Sequence, residues 1–220
     1  MTPTEHATPA RPDRIDLRGV HARGRRDQML DDVSLRLEAG TRMLAVGEPG
    51  HGHTALALVV GGRLVPDSGD VLVNGMPDPA RLRACSAVVD VPGVTEPDEA
   101  LTVAGTAAET LALAGCRATP RAVTTWLAVH GLAHVRTARI DQIDAITRTS
   151  LLTALAVQDP AVRFLVITLP ERHGGAPSEW WALAAEYAAL GYGVLVQCTS
   201  ASAHVLRAAG LLDDATEIFL

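Results

Sequence analysis

Two apolar runs separated by three closely spaced glycines leave a chain few ways to fold. From residue 45 the sequence reads Ala45-Val46-Gly47-Glu48-Pro49-Gly50-His51-Gly52-His53-Thr54-Ala55-Leu56. This ends a short buried strand, turns, and enters a helix whose first N–H groups are free to meet an anion. The spacing follows the phosphate-loop pattern G-x-x-x-x-G-K-[ST], in which glycines let the backbone approach a phosphate and the last hydroxyl holds Mg²⁺. Gly47 and Gly52 take the glycine positions and Thr54 the hydroxyl position. His53 stands where the lysine belongs. It is shorter than lysine and, with an ordinary pKa of about 6.5, only about a quarter charged at pH 7. Residues Gly47, Glu48, Pro49, Gly50, His51, Gly52, His53, Thr54 and Ala55 are therefore the expected nucleotide-binding set, with Thr54 the Mg²⁺ ligand and ATP/Mg binding weak or absent.

The 220 residues suffice for one sizeable α/β domain. There is no lysine, and 19 arginines stand against 25 carboxylates for a net charge of -6, which argues against nucleic acid as a partner. The short cluster Arg23, Arg25 and Arg26 is most simply a solvated loop. Cys85, Cys116 and Cys198 sit far apart in apolar runs and read as buried free thiols of a reducing cytoplasm. Residues 1–13, with Pro3, Pro9 and Pro12 and no apolar core, are expected to be a flexible tail, neither signal peptide nor membrane span. The remaining 14–220 are expected to form one domain.

Strand-like alternation runs from Ile15 to Val20 and from Leu30 to Leu37, with Val33, Leu35 and Leu37 on one face. A strand over Arg42 to Val46, the glycine loop, and a helix from Thr54 to Gly61-Gly62 follow. A turn at Pro66-Asp67-Ser68-Gly69, a strand over Asp70 to Val73 and a tight turn at Asn74-Gly75 come next. Further on, Ala87 to Pro92, Phe164 to Ile167 and Val194 to Gln197 read as buried strands. Helical patterns cover Arg121 to Val135, Ser150 to Val157 and Trp180 to Leu190. Strands alternating with helices predict a mostly parallel sheet covered on both faces.

The order Leu30-Asp31-Asp32-Val33-Ser34-Leu35, Glu38-Ala39-Gly40, the loop at Gly47, Pro66-Asp67-Ser68-Gly69-Asp70-Val71 and Asn74-Gly75 resembles the nucleotide-binding domain of ATP-binding cassette (ABC) transporters. The likeness is strongest over about the first eighty residues. It continues in Leu101-Thr102-Val103 and Glu109-Thr110-Leu111, which resemble the start of that family's helical subdomain, expected here at about 101–149. The resemblance implies an α/β fold of P-loop NTPase type, with a mostly parallel sheet flanked by helices, an antiparallel β-subdomain and a small helical subdomain.

The same resemblance implies five further features, and none is intact. Gly93 stands where a glutamine senses Mg²⁺ and the transmembrane partner. The signature loop falls on Gln142-Ile143-Asp144-Ala145-Ile146, without its glycines or serine. Thr168 and Leu169 occupy the positions of the Mg²⁺-orienting aspartate and the catalytic glutamate, and Thr199 that of the switch histidine. No aromatic residue near Arg23 is available to stack on adenine. Hydrolysis needs a bridged metal, an oriented water and positive charge on the transition state. The family resemblance with these losses implies a degenerate, catalytically dead pseudo-ATPase acting as a scaffold or regulatory subunit; the alternative is a divergent but active transporter ATPase. The partners implied are a membrane-embedded transporter subunit, another cassette, or a second copy of the chain, with a cytoplasmic location at the inner face of a membrane.

Other features have plainer readings. His51 and His53 lack further ligands for a metal site. Glu171 lies two positions late for a catalytic base. Trp180-Trp181 is expected to give one core ring and one half-exposed ring, and Asp213-Asp214 a solvated turn.

Overall fold

The computed structural model describes residues 13–25, 27–213 and 215–220. Residues 1–12 of the tail expected over 1–13 lie outside it, as do Arg26 of the arginine cluster and Asp214 of the acidic pair. The strands β1 (Arg14–Arg23) and β2 (Gln28–Glu38) form an antiparallel pair in which Ile15 faces Leu37 and Leu17 faces Leu35. Next come β3 (Arg42–Gly47), α1 (His51–Val60) and β4 (Ser68–Val73), which joins the free edge of β1. The helix starts three residues before the expected Thr54. Asn74 and Gly75, both at positive φ, turn the chain back so that Val73 bridges Met76.

Sequence reading found no element between Gly75 and Ala87, but α2 (Pro79–Cys85) lies there, started by Asp78, whose side chain accepts from the Arg81 N–H. β5 (Ser86–Val89) is shorter than expected because Asp90, at φ 56, ends it. α3 (Val103–Leu113) and α4 (Pro120–Val129) follow. The helix expected to reach Val135 stops at His130, since Gly131 at φ 74 breaks it, and Ala133–Val135 is a separate 3-10 turn. α5 (Ala145–Ala156) begins five residues before the expected Ser150. The order closes with β6 (Phe164–Thr168), α6 (Pro177–Ala189), β7 (Gly193–Thr199), α7 (Ser200–Ala208) and β8 (Thr216–Phe219). The last helix and strand had no counterpart in the sequence reading.

The second sheet is parallel throughout, in the order β5-β6-β7-β3-β8. Its pleat sends alternate residues to different cores. Met43, Ala45, Phe164, Val166 and Leu195 pack with α1 and the antiparallel sheet. Leu44, Val46, Leu165, Ile167, Val194 and Val196 pack with α6 and α7 on the other side. A third cluster joins α3, α4 and α5 through Val103, Leu111, Val123, Leu127, Leu151 and Leu155. Trp180 and Trp181 are 3% and 1% exposed, so neither ring is half-exposed as expected. Trp181 donates from its indole to the Leu211 carbonyl at 2.9 Å, and the Arg42 guanidinium lies over its ring at 4.2 Å. All three cysteines are free, and burial pushes the Cys198 thiol up to about 12, leaving it inert.

Candidate functional site

The loop joins the end of β3 to the start of α1, so the fold brings Gly47 through Ala55 together as one turn. Gly52 is dictated by close approach: a Cβ there would lie 3.1 Å from the Met29 carbonyl oxygen. Glu48, Pro49, Gly50 and His51 are exposed and Thr54 is half-buried. No side chain caps the first turn of α1, which leaves its N–H groups for an anion.

His53 does not point out of the loop. It is 1% exposed, and its Nε2 lies 3.3 Å from the Gly47 carbonyl of the same loop. A carbonyl only accepts, so Nε2 carries the proton and Nδ1 is left an acceptor, buried without a partner among the described residues. Burial pushes the imidazole below its ordinary pKa; the Gly47 hydrogen bond and the charge of Glu171 pull the other way without prevailing. The group at the lysine position is thus a neutral ring folded against the loop's own backbone.

The ends of β6 and β7 form the floor beside it. Thr168 and Gln197 sit opposite each other on neighbouring strands, both fully buried. The Thr168 hydroxyl and both polar atoms of the Gln197 side chain find no partner among the described residues. Leu169 adopts φ 47, a conformation costly for a branched side chain, and leads into the 3-10 turn Pro170–His173. That turn carries Glu171 back to the site. Its Oε1 accepts the Thr199 backbone N–H at 2.6 Å, and it is close enough for its charge to act on His53. Sequence spacing had set Glu171 aside; a reversal of the chain at Leu169 is not visible in spacing. Thr199 caps α7, its Oγ1 accepting from the Ser202 N–H.

The remaining expected positions lie apart from the loop. Gly93 is exposed, at φ 67, its N–H donating to Glu96. In the stretch Gln142 to Ile146, Asp144 accepts from the Thr147 N–H at 2.8 Å and starts α5, so this segment is an ordinary helix cap. A hollow of about 330 Å³ beside the loop is lined by Gly24, Arg25, Asp27, Met29 and His51, with no Phe, Tyr or Trp. Among the described residues, no group of three or more His, Cys, Asp or Glu is placed to hold a metal.

Sequence reading missed a buried ion cluster. Asp90 accepts from Arg148 at 2.9 and 3.0 Å and from Arg172 at 2.8 Å, and His173 lies 3.2 Å away. Arg148 also reaches Glu99 at 2.7 Å, and Arg172 reaches Glu96 at 3.2 Å. The available signal was an arginine just before the apolar helix expected from Ser150 and an aspartate within the apolar strand expected from Ala87 to Pro92. Each asks for a partner when buried.

No protein-family model matches the chain. It is 28% identical over 176 residues to the ribose import ATP-binding protein RbsA 2 of Rhizobium johnstonii, covering 79% of this chain and 31% of that protein. A shorter stretch of 48 residues, 22% of this chain and 18% of its relative, is 46% identical to the taurine import ATP-binding protein TauB of Roseobacter denitrificans. The chain spans about a third of the length of the ribose-import relative. Among solved structures, a nucleotide-free ATP-binding cassette from an ABC transporter superposes with a TM-score of 0.67 at 16% identity, covering 94% of this chain and 87% of that one.

Proposed function

We propose, from the premise that this chain folds as an ATP-binding cassette nucleotide-binding domain, that it is a cassette subunit of a transporter-type assembly in which hydrolysis has been lost and docking retained. The observation that carries this reading is His53. A neutral imidazole held on the Gly47 carbonyl supplies no cation to the β- and γ-phosphates. Thr168 and Leu169 add no carboxylate for metal or water at the end of β6. Removing one electrostatic contributor from such a site costs on the order of 10²-fold, so several losses leave no measurable turnover. The residues present fit a phosphate group through the loop backbone and α1, and Thr54 would be the Mg²⁺ ligand; they do not fit a tightly held Mg²⁺.

The docking half rests on a groove of about 670 Å³ along the open edge of β5, bordered by Val94, Leu101, Glu109, Leu113 and Asp159. Leu113 is 82% and Val94 49% exposed. The segment after Val91-Pro92, where the family resemblance puts contact with the membrane partner, forms one wall. A membrane-embedded subunit is the proposed occupant, which would hold the chain at the cytoplasmic face; another cassette or a second copy would pair through the loop face. Among the described residues no helix is long and apolar enough to cross a membrane.

Glu171 favours a second reading, a divergent active ATPase using a displaced carboxylate. Titrating the purified protein with ATP and Mg²⁺ separates the two. No saturable turnover above background is expected; a rate abolished by both Thr54→Ala and Glu171→Gln would establish the second reading and end the first.

A further inference from the structure

From Thr110 to Ile140 the sequence has four arginines, two histidines and no carboxylate, within a chain of net charge -6. This basic segment holds α4 and the turns on either side of it, with Arg117 just before the helix, Arg121 within it and His130 at its end. The inner face of α4 is anchored by Val123 and Leu127. Its outer face borders a hollow of about 590 Å³ whose lining includes Arg117, Arg121, Trp126, Val129 and His130 and no carboxylate. Arg117 and Arg121 are exposed, with no ion-pair partner among the described residues. Val129 is 78% exposed. Trp126 is half-buried and stacked on His130, ring centroids 3.9 Å apart, and the His130 Nδ1–H holds the stack by donating to the Trp126 carbonyl at 2.8 Å.

We propose that this face docks an acidic amphipathic helix of a partner protein. Trp126 and Val129, three residues apart, form a one-turn apolar ridge for the partner's apolar stripe. Arg117 and Arg121 meet the carboxylates beside that stripe. A short helix stays within reach of the basic segment alone, since charges farther than the screening length of about 8 Å are damped at physiological salt. A long polyanion or an anionic membrane would also meet the acidic remainder of the chain, and a polyanion offers no aliphatic counterpart to Val129. This surface is independent of the glycine loop and of whether the loop binds nucleotide.

The test uses the full chain and a fluorescein-labelled peptide of about five helical turns, leucine at helical spacing and glutamate elsewhere. Its lysine-for-glutamate counterpart, a single-stranded oligonucleotide and phosphatidylglycerol vesicles serve as competitors. Saturable binding of the glutamate peptide and none of the lysine peptide is expected. Arg117→Glu with Arg121→Glu, and separately Val129→Asp, should each raise Kd on the order of tenfold. All three side chains are exposed, so an unchanged melting curve keeps the comparison clean. No binding of the glutamate peptide, binding indifferent to these substitutions, or tighter binding of the oligonucleotide or the vesicles would overturn the proposal.

Discussion

Arg148 and Asp90 form a two-point ion pair, Nε to Oδ2 at 2.9 Å and Nη2 to Oδ1 at 3.0 Å, with side chains 2% and 6% exposed. The pair ties the end of β5 to α5, and Arg172 and His173 add the turn after β6. Two segments that border the groove and the turn that carries Glu171 toward the glycine loop therefore share one carboxylate. Stripping Asp90 leaves buried Arg148 and half-buried Arg172 with only the more exposed Glu99 and Glu96, whereas removing Arg148 leaves Asp90 with two partners. Asp90→Ala is expected to lower unfolding free energy by about 3–5 kcal/mol and Arg148→Met by clearly less. Urea denaturation of both variants checks the order.

The same carboxylate sets an acid limit. Burial alone would raise its pKa, but hydrogen bonds from His173 and Arg148 and the guanidinium charges bring it down to about 2, against an ordinary 3.8. A depressed carboxyl contributes stability that is complete above the unfolded value and lost as pH falls from about 3.8 through 2. This contribution is about 2 kcal/mol. The stability gap between the native chain and Asp90→Asn should narrow by that amount across this window in denaturant titrations.

His53 acts on a higher pH range, and its linkage has the same sign. Its folded pKa is depressed by burial, so the unfolded chain takes up a proton first. Stability therefore falls as pH drops below the ordinary histidine value of about 6.5. In His53→Gln this component should vanish, so the variant loses less stability than the native chain between neutral pH and pH 5. Parallel melting curves at several pH values measure the difference.

Restoring a cation to the loop should restore a ligand but not a reaction. His53→Lys is expected to tighten nucleotide binding on the order of tenfold or more, seen as thermal stabilisation by ATP with Mg²⁺. Turnover should stay absent, because Thr168 and Leu169 remain. Without nucleotide, the same variant should melt below the native chain, since the position is buried.

Thr168 keeps a hydroxyl in the core with no partner among the described residues. Thr168→Val replaces it with a group of nearly the same shape. The substitution should be neutral or stabilising by about 1 kcal/mol, which corresponds to a rise in Tm of about 2–4 °C for a chain of this size. A clear loss of stability would mean that the hydroxyl is hydrogen-bonded in solution.

Much of the fold was legible because its signals are local. Alternation at Val33, Leu35 and Leu37 marks a strand with one buried face, and Asn74-Gly75 marks the turn after β4. The glycine spacing places the loop between strand and helix. Weak points were elements whose limits depend on a single capping residue, such as α5, started by Asp144, and α4, ended at Gly131. α7 and β8 lacked a clear pattern, being a short helix with polar ends and an edge strand that is only half-buried.

The sequence by itself determined that a strand, a glycine turn and a helix meet at Gly47 to Thr54, and that the positions of the lysine and the two carboxylates hold His53, Thr168 and Leu169. Residue identity and spacing are properties of the chain, readable without folding it. Only the tertiary structure decided that His53 turns inward onto Gly47, that Glu171 returns to Thr199 across 28 residues, and that Arg148 finds Asp90 across 58. Those meetings depend on the register of parallel strands joined by crossover helices and on where burial leaves a polar group without water. Neither is encoded in any short window of sequence.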